Sequence, residues 1–220
     1  MVSRIYLVRH GETEGAEVRR YKGSIDVPLS ENGLEQIRRV SAFIRAEVQK
    51  RGSAGGASEL PGSGAAALAA VYCSDLVRAV RSAEIIAEPH GVTPGIVPGL
   101  RERSFGLWEG MSFDEIRERY PAEFDAWADN PLRFSPMGGE STQEVRQRVI
   151  GAVEGIIEKH LEGSIALVAH GGVNRVIMCH FLGVPLENMF RMEQDYGALN
   201  IIELHEGYPV VKLLNGVPCE

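Results

Sequence analysis

The chain has 220 residues, of which 44% are hydrophobic and 24% charged, a balance that predicts one globular domain, 1–220, with a sizeable core. A net charge of −7 opposes general attraction to nucleic acid, and no apolar run is long enough to cross a membrane, so we expect a cytoplasmic protein that binds neither. Three cysteines without CxxC spacing encode neither a disulfide framework nor a zinc site.

The N-terminal part predicts alternating strands and helices. Residues 5–8 form a short apolar run, typical of a buried strand, that leads into the polar residues 9–11. Apolar residues at helical spacing follow over 34–48, and residues 68–73 predict a second buried strand. A helix over about 75–88 comes next. This alternation predicts a largely parallel sheet.

The middle of the chain predicts a loop, a cap and a further helix. Residues 51–67 are rich in Gly, Ala and Ser, so we expect a flexible loop there rather than a domain boundary. Two short helices separated by Pro121 are expected within a small helical cap over about 105–137. Ser141 and Glu144 predict a capping box at the start of an amphipathic helix.

Two predicted strands each end in a His-Gly pair. The run over 5–8 leads into His10, and a second apolar run over 165–169 leads into His170. Open α/β sheets bind ligands at the carboxyl ends of their strands. We therefore expect His10 and His170 to lie close together, with Arg9 beside them. The segments 200–204 and 210–214 predict two paired strands, in which we see no chemistry.

Several segments resemble the histidine phosphatase (phosphoglycerate mutase-like) superfamily. LVRHGETE at 7–14 is similar to the signature of that superfamily, and five other segments match in the expected order: GSIDVPLS at 23–30, YCSDLVRA at 72–79, LRERSFGLWEG at 100–110, GGES at 138–141 and AHGG at 169–172. The resemblance implies a phosphoglycerate mutase-like α/β fold, with three α/β/α layers and a mostly parallel central sheet.

The resemblance also implies a phosphohistidine mechanism that needs no metal and no other cofactor. His10 would attack phosphorus, which splits one difficult displacement into two easier ones. Arg9, Arg78 and His170 would surround the phosphoryl oxygens and stabilise the charge that develops there. Glu102 would protonate the leaving alkoxide and afterwards deprotonate the incoming water.

The sequence departs from the family pattern at one phosphate contact. Many members have a phosphate-binding asparagine where this chain has Ala16. Lys22, where a neutral amide is common, either supplies a compensating positive group or is a solvated lysine. Gly23 and Gly171 lie in matched segments and are further candidates for substrate binding.

The resemblance implies a histidine acid phosphatase-type phosphoric monoester hydrolase that acts on a small phosphorylated metabolite. The short stretch before Gly138 favours a phosphatase over a cofactor-dependent phosphoglycerate mutase. Residues 136–192 are most similar to the α-ribazole phosphatases, which makes α-ribazole 5′-phosphate a candidate substrate, but broad-specificity members are similar there too.

Two alternatives of another class stay open, a metal-dependent hydrolase and a non-catalytic module that binds a phosphate ligand. The first lacks HExxH or similar ligand spacing. The second would be expected to have lost His10 or Glu102, and both are present. The sequence leaves the oligomeric state open between a monomer and a homodimer.

Overall fold

A computed structural model describes residues 4–18, 20–54, 68–160 and 162–218 of the chain. Short 3₁₀ turns lie at Glu88–His90, Pro98–Leu100, Gly106–Trp108 and Leu186–Arg191. The other elements of these ranges are, in chain order, β1 (Arg4–Arg9), α1 (Glu31–Ala54), β2 (Ala70–Cys73), α2 (Val77–Ala87), β3 (Gly95–Ile96), α3 (Phe113–Arg119), α4 (Pro121–Asp129), α5 (Thr142–Glu158), β4 (Ser164–Ala169), α6 (Gly171–Leu182), β5 (Leu199–His205) and β6 (Tyr208–Gly216).

The central sheet has the strand order β3-β2-β4-β1-β5-β6 within the described ranges. Strands β3, β2, β4 and β1 are mutually parallel, whereas β5 is antiparallel to β1 and β6 to β5. The mostly parallel sheet confirms the predicted fold class. Arg9 at the end of β1 is in register with Ala169 at the end of β4. The next residues, His10 and His170, therefore leave the sheet side by side.

Helices cover both faces of the sheet. Alternation along β1 directs Ile5 and Leu7 into one apolar core, with residues of α5 and α6, and Tyr6 and Val8 into a second, with residues of α1 and α2. Both faces of β1 are thus buried, which is why its sequence is a continuous apolar run. The two cores confirm the three-layer α/β/α arrangement.

Helix α1 is longer than the sequence pattern indicated. It ends at Ala54, so the first residues of the predicted loop 51–67 are helical, and Arg51 in the last turn suits the negative end of the helix dipole. The remainder of that loop, 55–67, lies outside the described residues. Strand β3 was not predicted, because two residues are too few to show a hydrophobic period.

The helices and the capping box predicted between 105 and 160 are present in the structure. Pro121 is the first residue of α4, directly after α3 ends, so the two short helices are present within the predicted cap region. The capping box is confirmed, because the Ser141 hydroxyl accepts from Glu144 N at 3.2 Å and the Glu144 carboxylate accepts from Ser141 N at 2.7 Å.

The C-terminal strands form the predicted hairpin. Glu206 and Gly207 connect β5 to β6 with φ values of 52° and 88°, the left-handed conformation that tight hairpin turns require. Within the described ranges, every helix is too short or too polar to cross a lipid bilayer.

Candidate active site

The two predicted histidines meet at the carboxyl edge of the sheet. Their ring centroids are 5.1 Å apart, and the rings meet edge to face. His10 is 5% exposed and His170 is fully buried. The convergence follows directly from the parallel pairing of β1 with β4.

His10 is held as a neutral ring with one specified proton position. Its Nδ1 lies 2.7 Å from the backbone carbonyl oxygen of Gly11, and a carbonyl oxygen only accepts, so Nδ1 carries the proton. Burial, followed by the charges of Arg9 and Arg78, holds the pKa of His10 well below its usual value. The other ring nitrogen, Nε2, therefore keeps a free electron pair, as a nucleophile requires.

Two guanidinium groups lie next to His10, one from the half-buried Arg9 and one from the buried Arg78. Arg78 of α2 is 2% exposed and donates to the carbonyl oxygens of Gly23 at 2.8 Å and Ile25 at 2.7 Å. Arg9 donates to the carbonyl oxygen of Gln194 at 2.6 Å. Burial lowers the pKa of both groups, but arginine keeps its charge in proteins.

Neither Arg9 nor Arg78 forms an ion pair with a carboxylate in the described part of the chain. The Glu102 carboxylate attracts both guanidinium groups without forming an ion pair with either. A charge removed from water without an ion-pair partner is expensive, so two such charges at one point favour an anionic ligand there. The main chemical feature of the site is thus a neutral histidine, His10, next to two cations that lack an ion-pair partner among the described residues, Arg9 and Arg78.

His170 is oriented by a serine. Its Nε2 lies 2.7 Å from the Ser74 hydroxyl, and its Nδ1 is buried without a hydrogen-bond partner among the described residues. Burial, then the neighbouring His10 and Arg78, hold the pKa of His170 well below its usual value. Unlike the other predicted site residues, His170 does not line the main cavity. Its ring packs against the ring of His10, which does line the cavity.

Glu102 lies at the N-terminus of α6. Its carboxylate accepts from the backbone amides of Gly172 at 3.0 Å and Arg103 at 2.9 Å, and a helix N-terminus favours such a negative group. A Cβ atom on Gly172 would lie 2.7 Å from Glu102 Oε1, so a side chain at this position would displace the Glu102 carboxylate. Gly171, the preceding residue, lines the cavity beside the Arg9 guanidinium.

The loop around Gly23 connects the His10 end of the cavity to the cap. Gly23 has φ of 48°, and a side chain there would collide with the Glu109 carboxylate. That carboxylate accepts from Ser24 N at 2.8 Å and Phe105 N at 3.1 Å, which fixes the loop. Because Arg78 is bonded to the carbonyl oxygen of Gly23, fixing the loop also fixes Arg78.

Lys22 lines the cavity and is tied to the segment after His10. Its ammonium donates to Thr13 Oγ1 at 2.6 Å and to the carbonyl oxygen of Glu14 at 2.7 Å. Burial, then the charge of Arg78, lowers its pKa. Lys22 is therefore not a freely solvated lysine, whereas its compensation for Ala16 stays a prediction.

Tyr196 is a site residue that the sequence did not reveal. The Arg9 guanidinium carbon lies 3.9 Å from the centre of its ring, a cation–π distance, and the ring centroid is 5.7 Å from that of His10. Tyr196 also lines the cavity. It therefore contacts both the proposed nucleophile and one of the two cations.

A buried amide pair supports the segment that carries Tyr196. Gln194 and Asn200 exchange two side-chain hydrogen bonds of 2.8 and 2.9 Å, and Asn200 also donates to the carbonyl oxygen of Leu7 at 3.1 Å. The predicted strand 200–204 thus bears on the site through Asn200, contrary to our expectation. The sequence feature that could have indicated this role is Asn200 itself, a polar residue in an otherwise apolar strand pattern.

The cavity has a volume of about 640 Å³ and extends from His10 to the cap. Towards the cap the wall also includes the polar residues Arg20, Arg103, Thr142, Arg175 and Glu187. Its apolar part is rich in aromatic rings: Tyr21, Phe105, Trp108, Phe113, Ile116, Phe124, Trp127, Pro131, Leu132, Val145, Val176, Leu186, Met189 and Phe190. Across the described residues, no cluster of three His, Cys, Asp or Glu side chains is arranged to hold a metal ion. Fold and site together define an α/β protein with an anion pocket built around a neutral histidine.

The chain is related to known proteins over nearly its whole length. The sequence profile of the histidine phosphatase superfamily (branch 1) matches residues 5–52 and 57–216. Phosphoserine phosphatase 1 of Hydrogenobacter thermophilus is 29% identical over 96% of this chain and 92% of its own length. Adenosylcobalamin/alpha-ribazole phosphatase of Escherichia coli is 26% identical over 96% and 95%, respectively.

The solved structure of Bacillus stearothermophilus YhfR has the same fold. It superposes with a TM-score of 0.79 and 31% identity, covering 97% of this chain and 96% of that one. The chain therefore belongs to branch 1 of the histidine phosphatase superfamily.

The lowered pKa of His10 predicts a neutral ring in mildly acid solution. The folded protein should bind the His10 proton only at a pH well below 6.5, the value for an ordinary histidine, whereas the unfolded chain binds it near 6.5. Nitrogen-15 NMR at pH 6 should therefore show His10 as the Nδ1–H tautomer, with the His10→Gln variant used to assign the signal. A doubly protonated ring at pH 6 would contradict this electrostatic description. The same shift should make the folded state less stable as the pH falls below 6.5.

Proposed function

We propose that this protein hydrolyses phosphomonoesters through a phosphohistidine at His10, without a metal ion. The observation that carries the proposal is the free electron pair of His10 Nε2 next to the guanidinium groups of the half-buried Arg9 and the buried Arg78, neither of which has an ion-pair partner in the described structure. A phosphoryl group supplies the missing negative charge and places phosphorus beside the nucleophile. The phosphatase activity of the named relatives supports the same reaction.

In the first step, His10 Nε2 attacks phosphorus while the bond to the leaving oxygen breaks. Glu102 donates a proton to that oxygen, and Arg9 and Arg78 stabilise the negative charge on the phosphoryl oxygens. In the second step, Glu102 takes a proton from water, the water oxygen attacks the phosphohistidine, and His10 is regenerated. His170 Nδ1, which lacks a partner in the described structure, donates to a phosphoryl oxygen.

The remaining predicted residues shape the phosphate end in this proposal. Lys22, bonded to Thr13, contributes positive charge to the cavity and so compensates for the family asparagine that Ala16 replaces. Gly23 places its carbonyl oxygen on Arg78, and Gly171 leaves room beside Arg9. The thiol of Cys73 is no competing nucleophile, because burial raises its pKa to about 12 and keeps it protonated.

Hydrolysis is favoured over mutase activity and over simple binding. A mutase must retain and reorient a bisphosphate intermediate, and the short cap segment of this chain favours access of water instead. A binding module has no use for a general acid, yet the structure provides two backbone donors that position Glu102. Phosphoglycerate mutase and a phosphate-binding module remain the alternatives that the assay below must distinguish.

The substrate in this proposal is a small phosphorylated metabolite, and α-ribazole 5′-phosphate is the named candidate. Support comes from the E. coli relative and from a cavity of about 640 Å³, which is large enough for a nucleoside-sized group. We also propose a cytoplasmic location and either a monomer or a homodimer.

The proposal predicts that phosphatase activity survives EDTA. Arg9 and Arg78 stabilise the negative charge of the phosphoryl group, so no metal ion is needed for that purpose. The assay compares α-ribazole 5′-phosphate, phosphoserine and 3-phosphoglycerate with chelator present. A further reaction with 2,3-bisphosphoglycerate detects mutase turnover of 3-phosphoglycerate. Loss of activity on chelation, restored by Zn²⁺ or Mg²⁺, would disprove the metal-free mechanism. Binding of these phosphates without any turnover would instead support the binding module.

A further inference from the structure

Four aromatic residues of the cavity wall form what we term the aromatic subsite: Phe113, Phe124, Trp127 and Phe190. The first three come from α3 and α4 and pack with ring centroids 4.9 Å (Phe113 to Phe124), 5.5 Å (Phe124 to Trp127) and 6.0 Å (Phe113 to Trp127) apart. Phe190 comes from the 3₁₀ turn after α6. Two separate parts of the fold thus supply rings to one cavity.

The aromatic subsite exposes much more apolar surface than a packed core would. Phe190 is 72% exposed and Phe113 is 44% exposed, although both line a cavity. Aromatic rings gain free energy when an apolar or flat partner covers them. Because the same cavity contains His10, a group that covers these rings can belong to the molecule whose phosphate is at His10.

Two cations of the cavity wall near the cap are already bound to protein groups. Arg103 donates to the Glu140 carbonyl oxygen at 2.7 Å, to Thr142 Oγ1 at 3.2 Å and to the Phe134 carbonyl oxygen at 3.1 Å. Arg20 donates to the Glu115 carboxylate at 2.6 and 3.2 Å. The charge of Arg20 is thus compensated by Glu115, and the charge of Arg103 is attracted by the neighbouring carboxylates of Glu102, Glu140 and Glu144.

The other two cations outside the phosphate pair are occupied as well. Arg175 donates to the Met192 carbonyl oxygen at 2.7 Å and lies 3.4 Å from the Glu193 carboxylate. Lys22 is bonded to Thr13 and to the Glu14 carbonyl oxygen. The cavity therefore offers uncovered rings for an apolar group, whereas Arg20 and Arg175 are already paired with carboxylates and Arg103 lies near three of them.

We propose that the aromatic subsite binds an uncharged ring carried by the alcohol part of the substrate. The substrate class is then a phosphomonoester of a ring-bearing alcohol, rather than a phosphorylated amino acid or hydroxy acid. The inference rests on the proposed function, because it takes the phosphate end to be fixed at His10. α-Ribazole 5′-phosphate, with its benzimidazole ring, belongs to this class, and phosphoserine does not.

The test compares three esters that differ in the side group but share a primary alkoxide leaving group: 2-(1-naphthyl)ethyl phosphate, propyl phosphate and phosphoserine. We expect kcat/KM for the naphthyl ester to exceed that for propyl phosphate by at least about ten-fold, from the burial of one ring. We expect phosphoserine to be no better than propyl phosphate. Similar values for the naphthyl and propyl esters, or a preference for phosphoserine, would overturn the inference.

Variants of the aromatic subsite test whether its rings cause the preference for the naphthyl ester. Trp127→Ala and Phe190→Ala should each reduce kcat/KM for the naphthyl ester by about three- to ten-fold more than for propyl phosphate, the usual scale of one aromatic contact. Trp127→Phe, which keeps an aromatic ring, should retain most of the preference for the naphthyl ester over propyl phosphate. The control is Tyr208→Ala, which removes an exposed ring on β6, away from the cavity. It should leave kcat/KM unchanged for both esters.

The outcomes separate this inference from the proposed function. Phe190 is so exposed that its truncation opens no core cavity, so Phe190→Ala tests the subsite even if Trp127→Ala fails to fold. If the naphthyl preference is unchanged in Phe190→Ala, the subsite inference fails although hydrolysis persists. If none of the three esters is hydrolysed, the proposed function itself fails.

Discussion

His10→Ala is expected to lower phosphatase turnover by at least about 10⁴-fold, because no other group in the site can form the covalent intermediate. The neighbouring cations Arg9 and Arg78 should remain in place, since their protein partners are backbone carbonyl oxygens that do not involve the His10 side chain. The loss should therefore appear in kcat, while binding of inorganic phosphate is retained. Steady-state assays and isothermal titration calorimetry measure the two quantities.

The control for this variant is His205→Ala. His205 lies at the end of β5 with an exposed side chain, and its removal should leave turnover unchanged. If His10→Ala keeps a few per cent of wild-type turnover, water attacks phosphorus directly and His10 is not the nucleophile.

Glu102→Gln is expected to slow phosphorylation of His10 by about 10²–10⁴-fold with an alkyl phosphate, but far less with p-nitrophenyl phosphate. An alkoxide is a strong base and must be protonated as it leaves, whereas nitrophenolate is a weak base and leaves unaided. Glutamine preserves the size of the side chain but cannot donate a carboxylic proton. Single-turnover phosphorylation rates are required, because hydrolysis of the phosphohistidine can limit steady-state rates.

Two variants make the Glu102 result specific. Arg78→Ala should slow both esters by similar factors, because the phosphoryl oxygens and the loop at Gly23 are common to both reactions. Gly172→Ala should reproduce the Glu102→Gln pattern in milder form, because its methyl group would lie 2.7 Å from Glu102 Oε1 and displace the carboxylate. Equal losses for the two esters in Glu102→Gln would remove Glu102 as the general acid and direct attention to Glu12 or Glu109.

The convergence of His10 and His170 was predictable because short local signals encode it. Each histidine follows a buried apolar strand, and parallel pairing of those strands is enough to bring His10 and His170 together. The position of Glu102 needed the family resemblance, since nothing local reveals that its carboxylate reaches the N-terminus of α6. The glycine that permits this contact, Gly172, is visible in the sequence only as part of AHGG.

The surroundings of the site could not be predicted, because they depend on contacts between distant parts of the chain. Gln194, whose carbonyl oxygen accepts from Arg9, lies 185 residues after it, and Tyr196 has the appearance of an ordinary loop residue in the sequence. The aromatic subsite likewise combines α3 and α4 with the turn at Phe190. Helical periodicity locates such elements but does not determine which faces share a cavity.

The most direct test of the mechanism is to identify the phosphorylated atom. Wild-type protein is mixed with substrate for milliseconds, quenched in alkali because phosphohistidine is labile in acid, and analysed by peptide mapping and phosphorus-31 NMR. We predict a single phosphate on Nε2 of His10, because Nδ1 is bonded to the carbonyl oxygen of Gly11. Phosphate on Nδ1, phosphate on another residue, or turnover without any phosphoenzyme would contradict the mechanism.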